Sequence, residues 1–149
     1  MANQTYSEKL KNPLWQKKRL EILNRDNFTC VLCSDTETEL HIHHKEYKWG
    51  NKLWEYPEDN FQTLCKRCHK IVEYFKDYNL TPLISSKYQM VDDSHWVIST
   101  IFKESNNELT LAMNYYSDDT NKLELITLLS NSEFKGISTL FSHAEKLFK

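Results

Sequence analysis

The chain has 149 residues, 40% hydrophobic and 27% charged, with only two glycines and three prolines. That length suits one full core, or a small metal-braced module with an appendage, and the composition argues against disorder except in the first dozen residues. The net charge of −2 is divided unevenly, with thirteen Lys/Arg against eleven Asp/Glu in residues 1–76 and six against ten in residues 77–149.

The polar start MANQTYSEKLKNP does not have the form of a signal peptide, and no stretch approaches the roughly eighteen apolar residues of a membrane span. A soluble, cytoplasmic protein without a membrane partner is expected. In chain order, NPLWQKKRLEILNRDN predicts a helix with Asn12 as cap and Pro13 at its first position. FTCVLC then enters a turn. ELHIHH alternates Leu40 and Ile42 with His41 and His43, which is a strand pattern. The loop KEYKWGNKLWEYPEDN carries turn signals at Gly50-Asn51 and Pro57. CHKIVEYFKDYN has helical periodicity, with Ile71, Val72, Phe75 and Tyr78 on one face. Pro82 and the serines of NLTPLISS (79–86) mark a boundary, so residues 1–78 read as one domain and 87–149 as a small α+β region of unassigned role. HWVISTIF, ELTLAMNYY and KLELITLL read as short strands, the last with a helical alternative. A final helix opens on a Ser130–Glu133 capping box, with Phe134, Ile137, Leu140, Phe141, Ala144, Leu147 and Phe148 as its apolar stripe.

All four cysteines fall in two C-x-x-C pairs, Cys30/Cys33 and Cys65/Cys68. In an intracellular protein with no cysteine left over, two such knuckles predict one tetrahedral structural zinc site. Disulfides do not suit the compartment, and a redox pair would explain only one C-x-x-C. Three of the six histidines, His41, His43 and His44, lie between the knuckles, and His69 follows the second. His95 and His143 stand alone and read as structural. The basic runs supply Lys17, Lys18, Arg19, Lys66, Arg67 and Lys70, which suit a phosphate backbone, although a solvated helix face looks the same. Tyr47, Trp49, Trp54 and Tyr56 either pack their own loop, the commoner case, or stack on bases.

Knuckle, His-His strand, loop, Asn and second knuckle running into His occur here as WQKKRLEILNRDNFTCVLC…LHIHHKEY…WEYPEDNFQTLCKRCH. This order resembles the zinc-braced branch of the HNH endonucleases over residues 13–76. The resemblance implies an α+β fold: a ββα-metal finger on a treble-clef-like four-cysteine zinc site, followed by the small α+β C-terminal region. It also implies a metal-dependent endonuclease that hydrolyses phosphodiester bonds of nucleic acid, with DNA the expected substrate. By the same resemblance His43 and His69 bind a catalytic divalent metal, magnesium or manganese. His44 is the general base that deprotonates the attacking water, and Asn60 orients it by bridging the loop back to it. Many relatives carry another histidine four residues after the last, where Glu73 stands here, which leaves a third ligand open.

Strand geometry adds a condition. In a regular strand His43 and His44 point to opposite sides, whereas His41 and His43 share one. The pair converges on one phosphate only if the strand ends or bulges there, and His41 is a rival ligand. The alternative function is a non-catalytic zinc module that binds nucleic acid or protein, with the acidic C-terminal half as its partner-binding part. Such a module needs only the cysteines, so the complete set His43, His44, Asn60 and His69 favours the enzyme.

Overall fold

The structure, a computed structural model, describes residues 5–90 and 94–136. By its contacts the chain divides into two compact units, Met1–His69 and Lys70–Lys149. Helix and sheet are mixed, and among the described residues no helix is long and apolar enough to cross a membrane.

In the first unit, α1 (Tyr6–Leu10) is opened by a capping box. The Thr5 backbone N–H donates to the Glu8 carboxylate at 2.8 Å, and the Glu8 N–H donates to the Thr5 hydroxyl at 3.3 Å. The longer α2 (Pro13–Arg25) begins as expected, with the Asn12 side chain accepting from the Leu14 N–H at 2.9 Å and proline at the first turn. Asn27 and Phe28, both at φ +51°, turn the chain out of α2 toward the first cysteine pair. Strand β1 (Leu40–His44) pairs antiparallel with β2 (Phe61–Cys65) in unbroken register from Leu40↔Cys65 to His44↔Phe61. The long loop between them ends in a 3₁₀ turn, Glu58–Asn60. Trp15 and Ile22 of α2, Leu53 and Tyr56 of the loop, and Phe61 of β2 form the core, with Leu10, Ile42 and Trp54 packed against it. Strand β2 runs directly into α3 (Lys66–Phe75).

In the second unit, Ile71 and Phe75 pack with Ile98, Phe102, Ala112 and Tyr116. The last four come from an antiparallel meander of β3 (Thr81–Gln89), β4 (His95–Lys103), β5 (Leu109–Ser117) and β6 (Lys122–Ser130), ordered β3-β4-β5-β6. KLELITLL is therefore strand. The stretch 79–86, read above as an interruption, contains the start of β3. Pro82 is tolerated there because β3 is an edge strand, and the ladder is irregular between Pro82 and Ile84. Tyr78 leaves the apolar face of α3 and is 54% exposed, because the chain tightens into a 3₁₀ turn over Lys76–Tyr78 and loses the 3.6-residue phase. The Ser130–Glu133 capping box forms, and residues 131–136 are helical. Phe134 of the expected stripe is 42% exposed. Ile137, Leu140, Phe141, Ala144, Leu147 and Phe148, with His143, lie outside the described residues.

Candidate active site

The first cysteine pair sits on a turn that the backbone closes by itself. The Cys30 N–H donates to the Asp35 carbonyl at 2.9 Å, the Ser34 N–H donates to the Cys30 carbonyl at 2.8 Å, and the Val31 N–H docks the turn on the Thr63 carbonyl of β2 at 3.0 Å. Cys65 ends β2 and Cys68 lies in the first turn of α3. All four thiols are free, and their sulfurs lie within 4.8 Å of one another. Cys33 Sγ and Cys65 Sγ are 3.7 Å apart. Four sulfurs at about 2.3 Å from a tetrahedral zinc would be separated by about 3.8 Å, so the donor set and spacing fit that ion. Crowding also splits the thiols. Cys30 is pulled down by hydrogen bonds from Cys33, Cys65 and Cys68, whereas Cys33 and Cys68 are pushed up, each first by Cys30. Cys65, pushed up by Cys30 but pulled down by Cys33 and Cys68, settles at about 7. Without an ion, two of the thiols thus give up their protons easily and two hold them, and the charge of a bound zinc is what would ionise all four.

A second cluster lies on β1 and α3. His43 and His69 meet edge to face at 5.2 Å between ring centroids, and α3 brings Glu73 round one turn after His69. Ligand atoms of His43, His69 and Glu73 all come within 4.8 Å of one another. His41 shares the strand face of His43 and stacks on His69 at 5.4 Å, yet is not among the converging ligands.

His44 leaves β1 on the other face, since the ladder is regular to the strand's last residue. It is 3% exposed, stacked on Trp15 at 5.3 Å and packed against Tyr47, Tyr56 and Phe61. Its Nε2 lies 2.9 Å from the Leu53 carbonyl. A carbonyl only accepts, so Nε2 carries the proton and Nδ1 is the accepting nitrogen. The Tyr47 hydroxyl donates to that nitrogen at 3.2 Å. Burial holds the imidazole below its ordinary pKa, although the Leu53 hydrogen bond works against it.

Asn60 does not reach the His44 ring. Its side chain spans the loop mouth, accepting from the Glu46 N–H at 3.2 Å and donating to the Glu46 carbonyl at 2.9 Å, while its own carbonyl accepts from the Lys45 N–H at 2.8 Å. The two residues after His44 are thus tied to the residue before β2. Sequence reasoning missed what holds Asn60 in turn. Arg25 donates to the Glu58 and Phe61 carbonyls at 2.5 and 3.0 Å and chelates Asp26, whose other contact is the Thr63 N–H at 3.1 Å. In the sequence these are only an adjacent Arg25 and Asp26 at the end of a helix, which carry no sign of the contacts they make.

The basic residues divide. Lys17 and Lys18 reach Glu21 at 4.0 and 3.2 Å on the surface of α2, and Lys66 and Lys70 are half-buried on α3. Arg19 donates to the Leu40 carbonyl at 3.1 Å, tying α2 to β1. Arg67 is 8% exposed. That burial differs from the surface cation expected of a phosphate contact. Of the loop aromatics, Tyr56 is buried and Trp54 packs on the core, whereas Tyr47 and Trp49 are exposed.

Residues 30–74 match the family model of the HNH endonucleases, a segment that runs from the first cysteine to one residue past Glu73. The match covers less than a third of the chain, and the likeness belongs to the segment that holds both cysteine pairs, the histidines of β1, Asn60 and His69. No curated protein and no solved structure matches the chain significantly.

Proposed function

We propose that the protein is a metal-dependent endonuclease that hydrolyses phosphodiester bonds, with DNA as its first candidate substrate. The carrying observation is the convergence of His43, His69 and Glu73 beside a separate four-cysteine cluster. A binding module would need only the cysteines. The order β1, β2, α3 suits a ββα-metal finger on a treble-clef-like zinc site, and residues 1–78 hold every part of it. Residues 87–149 would add specificity or assembly.

Two imidazoles and a carboxylate form a mixed nitrogen and oxygen donor set for one divalent ion, with magnesium or manganese the candidates. Bound there, a divalent ion supplies Lewis-acid stabilisation of the scissile phosphate and the departing 3′ oxygen. The chain's own residues do the rest. β1 ends at His44, so a phosphate can lie across the strand terminus with His43 on one flank and His44 on the other. His44 takes the proton of the attacking water at Nδ1, its ring held by the Leu53 carbonyl, and such bases contribute roughly 10²–10⁴ in rate. The Tyr47 hydroxyl, which occupies Nδ1, either swings aside or passes the proton through. Asn60 keeps the backbone after His44 from drifting.

The test is plasmid incubation with and without manganese or magnesium, beside His44→Gln and His69→Ala. Wild type should cut only with added divalent ion, His44→Gln should be inactive at every concentration, and His69→Ala should recover partly at high manganese. No cleavage of DNA or RNA by zinc-loaded wild type with either ion would leave the binding module as the reading.

A further inference from the structure

The loop between β1 and β2 ends its first leg in a turn at Lys48–Asn51, closed by the Asn51 N–H donating to the Lys48 carbonyl at 3.3 Å. Gly50 sits at φ +90°, as a type II turn requires of its third residue. The turn does not hang free. The buried Tyr56 hydroxyl accepts from the Lys48 N–H at 2.9 Å and donates to the Lys48 carbonyl at 3.1 Å. This anchored turn presents Trp49, whose side chain is fully exposed. Packing accounts for Trp54 and Tyr56; it does not account for Trp49.

Trp49 lines a groove of about 880 Å³ together with Tyr47, Trp54 and the lysines Lys9, Lys48 and Lys52, and no carboxylate lines it. Lys52 also pairs with Glu55 at 3.4 Å and lies over the Trp54 ring at 5.7 Å. Tyr47 in the groove wall is the residue whose hydroxyl holds His44 Nδ1. A flat aromatic on a rigid turn, in a groove lined by Lys9 and Lys48 as well as the Glu55-paired Lys52, matches a nucleobase and its flanking phosphates.

We propose that this groove takes an unpaired nucleobase stacked on Trp49, so that the protein prefers single-stranded nucleic acid, or an unstacked nucleotide, next to the scissile phosphate. In a duplex the base faces are already stacked on one another and unavailable to the indole. The proposal deepens the nuclease reading and rests on it for the link to His44, but the binding itself can be measured without cleavage.

The experiment is fluorescence anisotropy of full-length, zinc-loaded protein with a labelled oligodeoxythymidylate and with a duplex of equal length, without added manganese or magnesium. Plasmid cleavage is run in parallel. Trp49→Ala should weaken single-strand binding roughly 5- to 100-fold, the range of one base–aromatic stack, with little change for the duplex. Trp49→Phe should restore most of the affinity. Unchanged single-strand affinity in Trp49→Ala, an equal loss on duplex, or no single-strand binding by wild type would each overturn the groove. If wild type cuts while Trp49→Ala binds normally, only the groove falls. If Trp49 governs binding but no condition gives cleavage, the groove stands and the nuclease reading falls.

Discussion

His44 is at once the proposed base and a core residue. Removing its ring would empty a site walled by Trp15, Tyr56 and Phe61 and strand the buried Leu53 carbonyl. His44→Ala is therefore expected to cost about 2–4 kcal/mol of stability as well as activity, with His44→Gln milder because it keeps most of the volume and a donor. Thermal denaturation of the two variants checks this, and an unchanged midpoint in His44→Ala would refute the packing role. The pH dependence follows from the same burial. With its folded pKa held below 6.5, the imidazole stays neutral and competent into mildly acid solution, so the cleavage rate should fall below the ordinary histidine range instead of across it. The stability sign agrees. A histidine kept neutral by folding contributes fully above its unfolded pKa, and that contribution is lost as pH drops beneath about 6.5 toward the folded value. Rate and melting profiles should be taken with zinc content monitored, since acid also releases zinc. The sequence gives the identity of His44 and its likeness to a catalytic base. It does not give the burial, because Trp15, Leu53 and Phe61 come from three separate stretches of chain.

At the scale of elements, local chemistry was readable and context was not. Asn12 before Pro13, and Ser130 three residues before Glu133, cap their helices as their spacing implies. Thr5 and Glu8 carry the same signal for α1, inside the N-terminal stretch whose polarity otherwise reads as unstructured. β3 was hidden by Pro82, whose meaning depends on whether a strand lies at an edge, and that is a property of the sheet. Glu73 could be placed on the face of His69 from helical spacing, whereas its approach to His43 required the register of β1. The sheet also contains a residue that local pattern gives no reason for. Asn114, at an irregular point of the β5–β6 ladder, is 0% exposed, and neither Nδ2 nor Oδ1 has a hydrogen-bond partner among the described residues. Replacing an unpaired buried amide by an apolar side chain of similar size removes a desolvation penalty of about 1–3 kcal/mol. Asn114→Leu should therefore raise the denaturant midpoint, and a lower midpoint would mean that the amide holds a bound water.

For the molecule as a whole, the four sulfurs join the turn after α2, the end of β2 and the start of α3, so zinc should govern the first unit. Structural zinc sites supply on the order of 10 kcal/mol, comparable with the roughly 5–15 kcal/mol by which a whole domain is stable. Chelation at neutral pH should unfold the first unit, erasing most helical circular dichroism, while the strand signal of β3–β6 persists. Loss of both signals together would show that the sheet depends on the metal too.

The spacing of Cys33 and Cys65 has a redox consequence. Their sulfurs lie 3.7 Å apart, against about 2.05 Å in a disulfide, and the Cys65 thiol, pushed up by Cys30 but pulled down further by Cys33 and Cys68, is shifted toward the thiolate, the reactive form. With zinc present both sulfurs are occupied by the ion. Once it leaves, a two-electron oxidant can join them, and the two remaining thiols cannot hold zinc tetrahedrally. Loss of metal would then become a one-way step until a reductant reopens the bridge, so the unit's survival depends on the oxidant around it as much as on its folding free energy.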